Sequence, residues 1–95
     1  MNKYELGVVF KPNLEEDALR EEIERVQELV TRFGGTVEKV DEWGKRRLAY
    51  EIKYFTEGFY IFITFSAEGG APAEIESRMR IVENVLRYLI IRMDE

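Results

Sequence analysis

Lys3-Tyr4-Glu5-Leu6-Gly7-Val8-Val9-Phe10-Lys11-Pro12-Asn13 sets the fold in motion, because its period is two and then stops. Tyr4, Leu6, Val8 and Phe10 fall on one face of an extended segment, and Lys3, Glu5, Gly7 and Val9 on the other. Pro12 has no N–H to give a ladder, so the strand ends there. Beyond it the period becomes helical: Leu19, Ile23, Val26, Val30 and Phe33 share one face. Asn13 followed by Glu16 has the form of a capping box, with Glu15, Glu16 and Asp17 near the positive end of the helix dipole. Glu16–Arg20, Glu21–Arg25 and Glu28–Arg32 stand four apart in the favourable order on the wet face. Gly34-Gly35 stops the helix.

A strand followed by an amphipathic helix needs a sheet for the helix to cover, and the rest of the chain supplies it. A second strand runs from Thr36 to Ile52, with a bulge or bend expected at Trp43-Gly44. Tyr54 to Gly58 reads as a turn and Phe59 to Ala67 as a third strand. Gly69-Gly70 is a loop, and Pro72 suits a first helical position. Ile75, Met79, Val82 and Leu86 form the apolar stripe of a second helix, which Asn84 ends, and Val85 to Met93 is a fourth strand. The order β-α-β-β-α-β occupies residues 1–95 as one domain without linker or repeat. Two right-handed crossovers sharing a sheet give an α+β, ferredoxin-like fold. Its four-stranded antiparallel sheet has the first and third strands central, the second and fourth at the edges, and both helices on one face.

Composition excludes whole classes of chemistry. There is no cysteine and no histidine among the 95 residues, so thiol nucleophiles, thiolate metal sites and imidazole acid–base catalysis are absent. No cofactor is expected. No apolar run is long enough to span a membrane, and the N-terminal residues read as a strand, not as a secretion signal. The formal net charge of −5 argues against unaided binding to nucleic acid. Charge is unevenly placed, however. Asn13 to Phe33 holds seven acidic and three basic residues, a net of −4, whereas Lys39 to Lys53 holds five basic and three acidic ones, a net of +2.

Alternation assigns Leu6, Val8, Phe10, Ile61, Ile63, Phe65, Tyr88 and Ile90 to the helix side of the sheet. The other face receives Lys3, Glu5, Val9, Tyr60, Phe62, Thr64, Arg87, Leu89 and Ile91. Aromatics beside arginine and lysine on an uncovered sheet suit single-stranded RNA, with bases stacked and phosphates held. Strand propensity alone also places aromatics on solvated faces. Lys3, Tyr60, Phe62 and Arg87 are the RNA-contact candidates.

The second strand carries a more specific pattern, Gly44-Lys45-Arg46-Arg47-Leu48-Ala49-Tyr50-Glu51-Ile52-Lys53. It resembles the signature of the bacterial small-subunit ribosomal protein six family. So do Tyr4-Glu5, Val8-Val9-Phe10-Lys11-Pro12-Asn13-Leu14, then Gly35, Val37, Trp43 and Gly44, and finally Arg78 and Glu83-Asn84-Val85-Leu86-Arg87-Tyr88. The resemblance implies a structural, non-enzymatic component of the small ribosomal subunit in the cytoplasm, monomeric when isolated. It further implies joining the central domain of small-subunit ribosomal RNA together with small-subunit ribosomal protein eighteen, with no membrane and no small-molecule substrate. A basic partner would supply the electrostatics that an acidic chain lacks.

Asp41, Glu42, Lys45, Arg46 and Arg47 then form a charged strip on an edge strand, where charges both block self-pairing and offer a docking surface to the partner protein. Trp43 and Tyr50 are read as packing residues. An acylphosphatase-like hydrolase would need a phosphate cradle after the first strand, but Lys11-Pro12-Asn13 offers no glycine-rich loop. The remaining alternative is a ferredoxin-like small-molecule-sensing regulatory domain acting as a homo-oligomer.

Overall fold

Alternation in β1 (Asn2–Phe10) buries Tyr4, Leu6, Val8 and Phe10, in the computed structural model that describes residues 1–93. After it come α1 (Glu16–Arg32), β2 (Thr36–Ile52), β3 (Phe55–Ala67), α2 (Ala71–Met79) and β4 (Val85–Arg92). The strands form one antiparallel sheet in the order β2-β3-β1-β4, so β1 and β3 are central and β2 and β4 lie at the edges, as the periodicity required.

Ile23, Val26 and Val30 of α1 and Ala71, Ile75 and Met79 of α2 pack on one side of the sheet, against Leu6, Val8, Phe10, Ile61, Ile63 and Phe65. Each large side chain fully buried there contributes about 2 kcal/mol of transfer free energy. Asn2↔Ala67 through Phe10↔Phe59 is an unbroken register, so alternation in β1 and β3 is in phase over the whole contact.

Several local expectations are corrected. α1 starts later than the Asn13–Glu16 pattern suggests: Glu15 is the N-cap, with extended backbone and no side-chain cap bond, and Glu16 and Asp17 in the first turn favour the dipole instead. Glu16 pairs with Arg20 at 3.6 Å, but Arg25 turns to Glu22, three residues away, at 3.3 Å, not to Glu21. α2 stops at Met79, and Pro72 is its second residue, after Ala71. Val82 and Leu86 are not on that helix. Val82 lies in the link that follows, half-buried against the helix-side core, and Leu86 lies in β4, buried on the opposite face.

β3 begins at Phe55, so the expected turn over Tyr54 to Gly58 shrinks to Lys53-Tyr54. Both residues have positive φ, 50° and 71°, the geometry of a two-residue hairpin whose twist matches that of the strands. The register of β2 against β3 shifts between Val37 and Lys39, between Glu42 and Gly44, and between Arg47 and Ile52. The middle shift is the expected bulge at Trp43-Gly44, with Gly44 at φ 81°. In the last, five steps from Arg47 to Ile52 face two steps from Glu57 to Phe55. β2 therefore coils strongly, and its outer half turns back over the sheet face that the helices leave bare.

Candidate nucleic-acid and partner interface

That face is less open than alternation alone implies. Leu48 of β2 is buried against Val9 of β1 and Leu86 of β4, with Ile52, Phe55 and Tyr60 packed around them. The hairpin arm formed by the outer halves of β2 and β3 thus sits on the sheet through a small second core. Between arm and sheet lies a groove of about 180 Å³, lined among others by Val9, Tyr50, Tyr60, Arg87 and Leu89.

Arg87 reaches the bare face by the regular alternation of β4, and the irregularity just before it places Leu86. Phe10 pairs with Val85, but Val9 pairs with Arg87, so Leu86 is an extra residue. Val85 enters the helix-side core, whereas Leu86 joins Val9 and Leu48 on the opposite face. Arg87, opposite Val9, emerges exposed on that same face. Its guanidinium lies 5.9 Å from the centre of the Tyr50 ring on the arm.

A second cluster lies toward the β2 edge. Phe62 lies across Gly7, where a Cβ would come within 3.1 Å of the ring. Trp43 packs on Phe62 with centroids 4.6 Å apart, and Arg46 caps Trp43 at 5.4 Å while donating from Nε to the Trp43 carbonyl at 3.3 Å. Trp43 and Tyr50 are packing residues only in part, since 52% and 60% of their surfaces remain exposed.

At the far end Lys3 is already engaged. Its Nζ lies 3.3 Å from Glu38 Oε1, and Glu38 accepts a short hydrogen bond from the Ser66 hydroxyl. That hydroxyl, and then Lys3, hold the Glu38 carboxyl below its ordinary value.

The charged strip of β2 divides between two faces. Asp41 pairs across with Phe62 and Arg46 with Gly58, on the bare side, where Asp41 also meets Lys39 at 3.4 Å. Glu42 pairs with Ile61, Lys45 with Phe59 and Arg47 with Glu57, on the helix side. Lys45 lies 5.4 Å from the Phe59 ring centre, and Glu42 borders a shallow groove with Arg20 and Gln27 of α1. Of the nine candidates, Tyr60, Phe62, Arg87, Asp41 and Arg46 gather around the bare face, and Lys3 lies at its end. Leu48, Tyr50 and Trp43 complete that surface. Sequence reading missed this role because Leu48 and Tyr50 follow a register slip that alternation cannot anticipate.

Helices therefore cover one side of a split βαβ sheet, and aromatic–arginine contacts stand on the other. The chain belongs to the ribosomal protein S6 family, whose profile matches residues 3–92. Small ribosomal subunit protein bS6 of Heliobacterium modesticaldum is 46% identical over 95 residues, covering 100% of this chain and 99% of that protein. The bS6 protein of Halalkalibacterium halodurans is also 46% identical, with 100% of both chains covered. The crystal structure of 30S ribosomal protein S6 from Thermotoga maritima superposes with a TM-score of 0.92 at 32% identity, covering 97% of this chain and 87% of that one. A protein of Arabidopsis thaliana reaches a TM-score of 0.57 at 16% identity, over 100% of this chain and 95% of its own, a likeness of fold alone. The chain is thus a ribosomal protein, not an enzyme, and its place is the cytoplasm, in the ribosome.

Proposed function

We propose that the chain is a structural constituent of the small ribosomal subunit, supporting translation by binding the central domain of small-subunit ribosomal RNA together with small-subunit ribosomal protein eighteen. It acts as one ferredoxin-like domain over residues 1–95, monomeric when isolated, using no cofactor and no small-molecule substrate. The observation that carries this reading is the placement of two arginine–aromatic contacts, Arg46–Trp43 and Arg87–Tyr50, on the helix-free face of an acidic family member. Planar side chains backed by guanidinium groups suit stacked bases and phosphates, while a charge of −5 makes unaided binding weak. Family membership favours this over a homo-oligomeric sensor.

Arg87, Tyr60, Phe62 and Lys3 are assigned to RNA. Tyr60 and Phe62 offer ring surface beside the groove, and Lys3 would exchange its Glu38 partner for a phosphate. Asp41, Glu42, Lys45, Arg46 and Arg47 are assigned to the partner protein, with Asp41 and Arg46 bearing most of the contact because they share the bare face. Gel-shift titration of a central-domain RNA fragment tests this. The isolated chain should bind weakly and the mixture with the partner protein tightly; tight binding by the chain alone would defeat the charge reasoning.

A further inference from the structure

Glu22 is the single buried charged residue among the described ones, at 5% exposure, and it lies on α1, on the side of the sheet away from the bare face. Removing a carboxylate from water is costly, and it is tolerated where both oxygens find partners. Here Oε1 meets Arg25 at 3.3 Å, and Oε2 accepts a hydrogen bond from the Asn84 side-chain amide. Asn84 immediately precedes β4, and its carbonyl accepts the Lys11 N–H at 3.0 Å. The next residue, Val85, is buried in the helix-side core opposite Phe10. The entry to β4 is therefore pinned to α1, to the chain leaving β1, and to the core.

One residue later the register slips, and the slip puts Leu86 and Arg87 side by side on the bare face. Without the pin, Leu86 could pair with Phe10, removing the irregularity. The side chain would then turn to the helix side and leave Leu48 and Val9. The arm that carries Tyr50 to Arg87 would lose its strut. We propose that Glu22 is a positioning residue: through Asn84 it holds the β4 bulge that keeps Leu86 under the hairpin arm and Tyr50 beside Arg87. This rests on the reading of the bare face as the RNA and partner surface, and extends it to a residue on the opposite side of the sheet.

The test combines methyl NOEs between Leu86 and Leu48 with titrations of the chain, its partner protein and central-domain RNA. Glu22→Ala and Asn84→Ala should each abolish the Leu86–Leu48 NOE and weaken assembly by about threefold to tenfold, the range expected for residues coupled in one network. In a Leu86→Ala background the same substitutions should change assembly by less than about twofold. Glu22→Gln, which keeps an acceptor for Asn84, should retain the NOE and the affinity. Asn84→Ala carries the test should Glu22→Ala fail to fold. An NOE that persists in the alanine variants, or equal losses in both backgrounds, would overturn the positioning role. If Arg87→Ala leaves assembly unchanged, the functional reading of the face fails, while the NOE still decides whether Glu22 holds the bulge.

Discussion

The two faces of this sheet are built from alternate residues of the same strands, yet they solve different problems. On the helix side Leu6, Phe10, Ile63 and Phe65 are fully enclosed within an apolar cluster. On the other side the buried hydrophobic side chains among the described residues are Val9, Leu48 and Leu86, and aromatic rings lie half in solvent with arginines against them. One face is a closed core that holds the fold. The other has a small core that holds an arm, with polarizable surface left for something else to cover. A change of period-two phase therefore separates the closed core from the face proposed for recognition.

The two faces should carry unequal energetic weight. Phe65→Ala should cost about 4 kcal/mol in denaturant unfolding, and Leu48→Ala about 2 kcal/mol, since Leu48 lies in a three-residue cluster that can collapse. Equal costs would show that the arm belongs to the main core. Next comes Arg87→Ala, which should weaken assembly with RNA and partner by about 1–2 kcal/mol while moving stability by less than about 0.5 kcal/mol. A large stability loss with normal assembly would make Arg87 structural through Tyr50.

A smaller effect of opposite sign is expected at the arm's tip. Lys53→Asn with Tyr54→Gly should raise stability by about 1 kcal/mol, because residues suited to positive φ replace two that are not. No gain in the denaturation midpoint would mean that the turn relaxes at no cost. On the charged strip, neutralising Asp41 and Arg46 should flatten the salt dependence of partner binding, by about 0.5 kcal/mol per charge. Neutralising Glu42 and Arg47 should do so less; the reverse order would move docking to the helix side. Replacing all four should also promote homo-oligomers, read by sedimentation.

The smallest effect concerns Glu38. Its folded-state value lies below the ordinary 4.5, held down first by the Ser66 hydroxyl and then by Lys3. The associated stability is therefore fully present above the unfolded value and is lost as pH falls through the folded one. Carboxylate chemical shifts should show Ser66→Ala returning the titration toward 4.5. An unmoved titration would assign the effect to Lys3.

How much of this was legible follows from which signals are local. Element order, the helix-side residues and the Gly44 bulge were readable, because alternation and glycine act within a few positions. The end of α2 was not, because Val82 and Leu86 continue its spacing while one packs from a link and the other from a strand. The hairpin turn was hidden because Lys53-Tyr54 lacks the Asn-Gly pattern that advertises one. Placement on the bare face was legible where parity survives, at Tyr60, Phe62 and Arg87. It was illegible where register slips, at Leu48, Tyr50 and Leu86, and where a long-range polar contact decides, at Glu22.

The surplus length of β2, 17 residues against 13 in β3, has a consequence for how the molecule breathes. β1 stops supporting β3 at Phe59, so Phe55 to Gly58 and their partners form a two-stranded ribbon. Such a ribbon is marginal by itself, and here Leu48, Ile52 and Phe55, with the Tyr50–Arg87 contact, tether it to the sheet. Amide hydrogens of the ribbon should exchange with solvent through local opening, while those at the centre of β1 and β3 wait for global unfolding. The chain is then two cooperative units in one fold, and a partner seated in the groove would fuse them into one, slowing exchange in the ribbon far more than in the sheet beneath it.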